Sequence, residues 1–156
     1  MILGTAFLLA FAGGLAGLYS FRSGLVTETG IRERLRRLRI GVSAMAIVAW
    51  ATVITGTWIV YPWYREATPD SPRSILLADP STETWHTFGM EWKEHIAWTS
   101  PMLATAAAFL VLYYGAGLVA NRTLRMLTIV LFVGGFVTAG IAGLLGALIT
   151  KAAPVA

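Results

Sequence analysis

The side chains best suited to chemistry gather in one run, Glu91-Trp92-Lys93-Glu94-His95, with Tyr61, His86 and Trp98 as neighbours in type and position. At about 100° per residue on a helix, Glu91, Glu94, His95, Trp98 and Met102 share one face. Lys93 points the other way, free to snorkel towards headgroups. Two carboxylates and an imidazole at the edge of an apolar run are costly unless paired, hydrated or given a ligand.

Three chemistries suit this cluster. In the first, His95 is an axial ligand to a b-type haem, or touches a quinone, with His86, Trp98 and Tyr61 as further contacts. The chain has only two histidines, separated by Gly89, so a haem shared with another subunit suits them better than one held within a single copy. In the second, Glu91, Glu94 and His95, with His86 joining them, hold a metal ion or relay protons. The third is a surface cluster, with Arg65 or Arg73 pairing the glutamates and His95 bonded to backbone. The absence of cysteine excludes disulfides, thiolate metal sites and cysteine nucleophiles. There is also no phosphate-binding glycine loop, no HExxH and no nucleophile elbow, so no catalytic activity of its own is expected.

The elements that must position these residues are set by apolar runs. The chain is 156 residues long, 56% hydrophobic and only 13% charged, whereas a soluble domain has roughly 25% charged residues. A water-soluble globule is thereby excluded. Ile2–Phe21, Ile40–Tyr64, Ile96–Ala120 and Met126–Thr150 carry no charge at all, and about 20 apolar residues suffice for a helix to cross a bilayer. Unbroken apolar runs do not fit the alternating pattern of a β-barrel. The expectation is an all-α integral membrane protein, a single domain of four transmembrane helices at about 2–21, 40–64, 91–120 and 123–150.

The outer loop, 65–90, should carry a short surface helix from about Pro80 to Phe88. Asp79 would be its N-cap, Pro80 its first residue and Gly89 its interruption, with the third helix starting near Met90. Pro101 frees the carbonyl of Ala97 and should kink that helix. The threonines Thr52, Thr55 and Thr57 can be satisfied by their own helix backbone.

Charge then sets the orientation. Arg22, Arg32, Arg34, Arg36, Arg37 and Arg39 stand between the first two helices against only Glu28 and Glu33, and Arg122 and Arg125 lie between the last two. The long middle loop holds Glu66, Asp70, Asp79, Glu83, Glu91 and Glu94 against Arg65, Arg73 and Lys93. Cationic short loops stay cytoplasmic, so both termini and residues 65–94 should face outward in a bacterial-type inner membrane. The first helix reads as a retained span rather than a signal peptide, because no cation precedes its apolar core. The net charge of +4 is a topology signal; no nucleic-acid partner is expected.

Small residues should pack the helices. Gly135, Ala139, Gly143 and Ala147 form a ridge at fourfold spacing, and Gly13 and Gly17 form a GxxxG in the first helix. The ridge should make the closest helix contact, with the first helix or a neighbouring subunit. These features together suggest an accessory membrane subunit of a larger energy-transducing electron-transfer complex, respiratory or photosynthetic. Its partners would be the bilayer, other membrane subunits and a basic electron carrier at the acidic outer loop. The competing expectation is a small homo-oligomeric transporter or channel-like protein.

Overall fold

The computed structural model describes residues 2–21 and 28–154; Arg22 lies outside them. Among the described residues the chain is helical throughout, and four helices are long and apolar enough to cross a membrane. The first span is α1 (Ile2–Ser20). The second runs through α2 (Glu28–Thr55), a π-helical turn (Gly56–Val60) and α3 (Tyr61–Tyr64). After the short α4 (Pro72–Ala78), the third begins as a π-helical segment (Trp85–Met90) and continues as α5 (Glu91–Tyr114). A one-turn α6 (Gly117–Ala120) leads to the fourth, α7 (Arg122–Ala152).

Several boundaries differ from expectation. The second helix starts at Glu28 rather than near residue 40, because its charged first turns are good helix formers. One i,i+4 pair there is closed, Arg37 Nε donating to Glu33 Oε1 at 2.9 Å. The loop carries a helix at Pro72–Ala78 that was not expected, and the one expected over Pro80–Phe88 is helical from Glu83 and runs straight into the third span. Ser71 caps the former by accepting from the Ser74 N–H at 3.2 Å, and Pro72 takes the first helical position. Asp79 instead makes a tight local turn, its carboxylate accepting the Ser81 N–H at 2.8 Å. That bond holds the Asp79 carboxyl below the usual carboxylate range. Gly89 does not interrupt the third span; the helix passes through it in a widened π turn. That span ends at Tyr114 rather than residue 120, because Gly115 reverses the chain at φ +50°.

The spans pack in sequence order. α1 lies along α2, α2 along α5, and α5 makes the most extensive contact of all with α7. α1 and α7 touch far less. The core is built from Leu18, Leu38, Val42, Met45, Val111 and Phe132, all fully buried. Between α1 and α7 a column of rings fills the gap, with Phe11 stacked on Phe136 at 3.8 Å and on Phe132 at 5.4 Å between centroids. Ser100 Oγ, itself buried, donates to the Gly135 carbonyl at 2.7 Å and ties α5 to α7. Trp50 donates from Nε1 to Thr105 Oγ1 at 3.0 Å and joins α2 to α5. The threonine hydroxyls return to their own helices as expected, Thr52 to Val48 O and Thr55 to Ala51 O, both at 2.8 Å.

The small-residue expectations are corrected in detail. The closest approach is between α1 and α2. A Cβ on Gly41 would lie 3.0 Å from the Gly14 nitrogen and 3.2 Å from its Cα. Gly17 fits against Leu38, but Gly13 faces open space, so the useful pair in α1 is Gly14 and Gly17 rather than Gly13 and Gly17. The ridge on α7 is not one contact. Gly135 is buried against the backbone of Ser100 and Ala104 on α5, not against the first helix. Ala139 and Gly143 border a cleft, and Ala147 is exposed. Fourfold spacing on a straight helix drifts by about 40° per step, so such a ridge leaves one neighbour before it reaches its end.

The described arginines of the two short connections share one end of the bundle. Arg39 Nη2 would lie 3.1 Å from a Cβ on Gly115, which puts the α2 arginines beside the turn between the last two spans. Arg125 Nη1 donates to the carbonyls of Leu118 and Val119 at 2.9 and 3.0 Å, and Arg34 Nη1 to Ser20 O at 2.8 Å. At the opposite end, Tyr64, Leu76, Met90, Ile149 and Ala153 make a second small core beneath α4.

Candidate functional site

The residues singled out from sequence all lie at the end that carries residues 65–90, yet the structure divides them into three settings. Helical geometry explains the division. Taking Glu91 as zero and about 100° per residue, His95 sits near +40° and Glu94 near −60°, at opposite edges of one face. α5 turns its negative side, from Trp98 and Glu94 round to Lys93, into a cleft; Glu91 and His95 fall outside it.

In the outward setting, His95 is exposed and its Nδ1 donates to the Glu91 carbonyl at 2.7 Å. The Glu91 carboxylate meets Arg65 Nη2 at 3.8 Å, with both side chains about half exposed. Such a pair contributes little, about 0–1 kcal/mol. The same Arg65 guanidinium lies 4.6 Å from the centroid of the Tyr61 ring. Both features of the surface-cluster reading are thus present. Met102 continues the exposed stripe one turn beyond Trp98.

The second setting holds His86. Its Nδ1 is 2.8 Å from the hydroxyl of Tyr64, which is buried. The two histidines therefore occupy different surroundings and share no partner in the described chain. Nor do Glu91, Glu94 and His95 close on a common point: among the described residues no three His, Asp or Glu side chains stand close enough to hold a metal ion.

The third setting is the cleft, a half-open space of about 570 Å³ bordered by all four spans. Phe7, Ala49, Val53, Ala97 and Ala142 give it apolar walls, and Tyr61, Lys93 and Glu94 give it a polar end. Trp98 lines it too, held edge-to-face against Trp50 with ring centroids 6.1 Å apart. Lys93 does not reach away to headgroups as expected. Its stem lies against Gly146 of α7, where the missing side chain leaves room, and its Nζ approaches the Met90 sulfur at 3.9 Å. Glu94 Oε1 is buried and, among the described residues, has no hydrogen-bond partner.

Sequence reasoning missed the two π-helical segments that shape this end. Gly56–Val60 comes just before Tyr61-Pro62, and Trp85–Met90 just before Glu91. Pro62 has no N–H to donate and its ring crowds the preceding turn, so a widened turn ahead of it relieves the clash. Gly56 and Pro62 six residues apart were the available signal. Comparison with protein-family models, with curated proteins and with solved structures gave no match.

Proposed function

We propose that the chain is an accessory membrane subunit of a larger energy-transducing electron-transfer assembly, respiratory or photosynthetic. Its role is mainly structural, and it presents His95 to a b-type haem or quinone at the boundary with a neighbouring subunit. One observation carries this reading: His95 stands exposed near the start of a membrane-length helix with Nδ1 committed to the Glu91 carbonyl. A carbonyl oxygen only accepts, so Nδ1 holds the proton and the neutral ring keeps its lone pair on Nε2. A fixed tautomer with a free Nε2 is what a metal ligand, or an acceptor for a quinol hydroxyl, requires. At the edge of a bilayer that acceptor needs a partner, and the described residues supply none to it. If this reading holds, affinity purification from native membranes in mild detergent recovers the chain with other membrane subunits and with haem absorbance or extractable quinone. Recovery of the chain alone contradicts it.

The orientation belongs to the same proposal. With the arginines of the two short connections at the other end, both termini and residues 65–94 face outside, where the acidic loop meets a basic electron carrier. Ser71 is a poor reporter because it is buried as a helix cap, whereas Ser81 and Thr123 are exposed at opposite ends. In intact cells a membrane-impermeant maleimide should label Ser81→Cys and leave Thr123→Cys untouched until the membrane is opened. The reverse pattern overturns the orientation. The homo-oligomeric transporter reading draws no support from the cleft, whose walls reach no deeper than Ala49, Ser100 and Ala139 before the packed core begins.

A further inference from the structure

We infer that the cleft between the four spans is a binding site for one phospholipid with a zwitterionic amine–phosphate headgroup, of the phosphatidylethanolamine kind. The inference goes beyond the reading of His95 and does not involve His95 or Glu91. It begins from two charged groups in one apolar space, neither fully partnered; the Tyr61 hydroxyl reaches the Glu94 carboxyl but leaves Oε1 bare. Glu94 Oε1 is buried and accepts no hydrogen bond, and the Lys93 ammonium reaches only the Met90 sulfur at 3.9 Å among the described residues. They do not pair with each other: the ion pairs found among the described residues are Arg37–Glu33 and Arg65–Glu91. A buried carboxylate asks for a donor and an ammonium asks for an acceptor. A headgroup bearing both an ammonium and a phosphate satisfies the two at once, whereas a purely anionic head would leave Glu94 worse off.

Depth and shape agree with that occupant. Lys93, Glu94 and Tyr61 stand at the end of the spans where Trp58, Trp63, Phe88 and Trp92 are exposed, the level at which aromatic side chains meet lipid headgroups. Below this polar end the walls are apolar, as hydrocarbon chains require. A way in from the bilayer exists too. α1 and α7 touch along only a short stretch, and the glycines they turn to the cleft, Gly4 and Gly143, have nothing within 4 Å. The volume of about 570 Å³ holds a headgroup and the upper part of its chains, and lies in the range of about 300–1,000 Å³ usual for ligand sites.

Native mass spectrometry of the full chain, titrated in detergent with phosphatidylethanolamine, phosphatidylglycerol or a short-chain quinol, tests this. The expected result is one phosphatidylethanolamine retained per chain. Glu94→Gln and Lys93→Met should each weaken it about tenfold, the size of a lost charged hydrogen bond. Gly143→Leu, whose side chain would enter the cleft, should abolish it while thermal unfolding stays that of the parent. Equal retention of phosphatidylglycerol, preferential retention of the quinol, or binding unaffected by the two isosteric or near-isosteric changes would overturn the proposal. A Gly143→Leu chain that unfolds early would overturn the open-cleft geometry on which it depends.

Discussion

Gly41→Leu should destabilise the bundle far more than the same change at Gly143. The expected loss is about 3 kcal/mol or more, at the upper end of what overpacking costs, and the variant should aggregate or melt far below the parent in a detergent thermal scan. The reason is where the new atoms would go. A Cβ on Gly41 meets the backbone of Gly14, not a side chain that could swing aside. Gly14 in turn sits so close to the Phe132 ring that a Cβ there would strike it, so the contact is tight on both sides of α1 at this level. Helices in lipid are held by close packing, with little hydrophobic drive to restore the contact once the backbones part. Gly143→Leu is the matched control, since Gly143 faces open space. Equal melting of the Gly41 and Gly143 variants would show that the α1–α2 contact is not the tight one.

This contrast also marks what a sequence can and cannot disclose about such a bundle. Charge-free runs locate the four long helices, since only an apolar surface is compatible with the bilayer interior and little else in the chain is apolar for so long. Small-residue spacing reports that helices approach closely but not which pairs do so. Gly135 found α5, Gly41 found Gly14, and Gly13 found nothing. A glycine in an otherwise ordinary stretch, such as Gly41 next to Ile40 and Val42, carries no periodic mark; its meaning comes from the facing backbone. The helix at Pro72–Ala78 was missed for a related reason. Ser71-Pro72 and Asp79-Pro80 are both valid starts by local chemistry and a helix follows each; the first is anchored by Leu76, which is fully buried beneath the loop with Tyr64 and Met90.

For the site, side-chain types and the position of α5 in the sequence were enough to identify Glu91, Glu94 and His95 as the residues of interest. Their separation was not legible. A face of about 100° looks like one surface on a helical wheel, but the cleft edge runs through it and assigns Glu94 inward and His95 outward. Lys93 was misread because snorkelling is the default for a lysine near a span end; the notch at Gly146, on a helix more than fifty residues away, redirects it. The cleft itself lies where α1 and α7 touch little and beside the π segments Gly56–Val60 and Trp85–Met90, of which only the first carries a local mark, Gly56 with Pro62.

The second large effect follows from the setting of the two histidines. His95 has one ring nitrogen fixed on the Glu91 carbonyl and the other unengaged among the described residues, while His86 is held by the hydroxyl of Tyr64. Substituting His95 removes an available nitrogen; substituting His86 removes an internal hydrogen bond, at about 1 kcal/mol. The most direct test of the account is therefore the absorption spectrum and extracted quinone content of the assembly purified through this chain, with His95→Ala and His86→Ala measured beside the parent. The account predicts that His95→Ala loses the Soret absorbance or the bound quinone while His86→Ala keeps most of it. Cofactor content unchanged in His95→Ala would contradict it, leaving His95 as a side chain that only ties down its own helix.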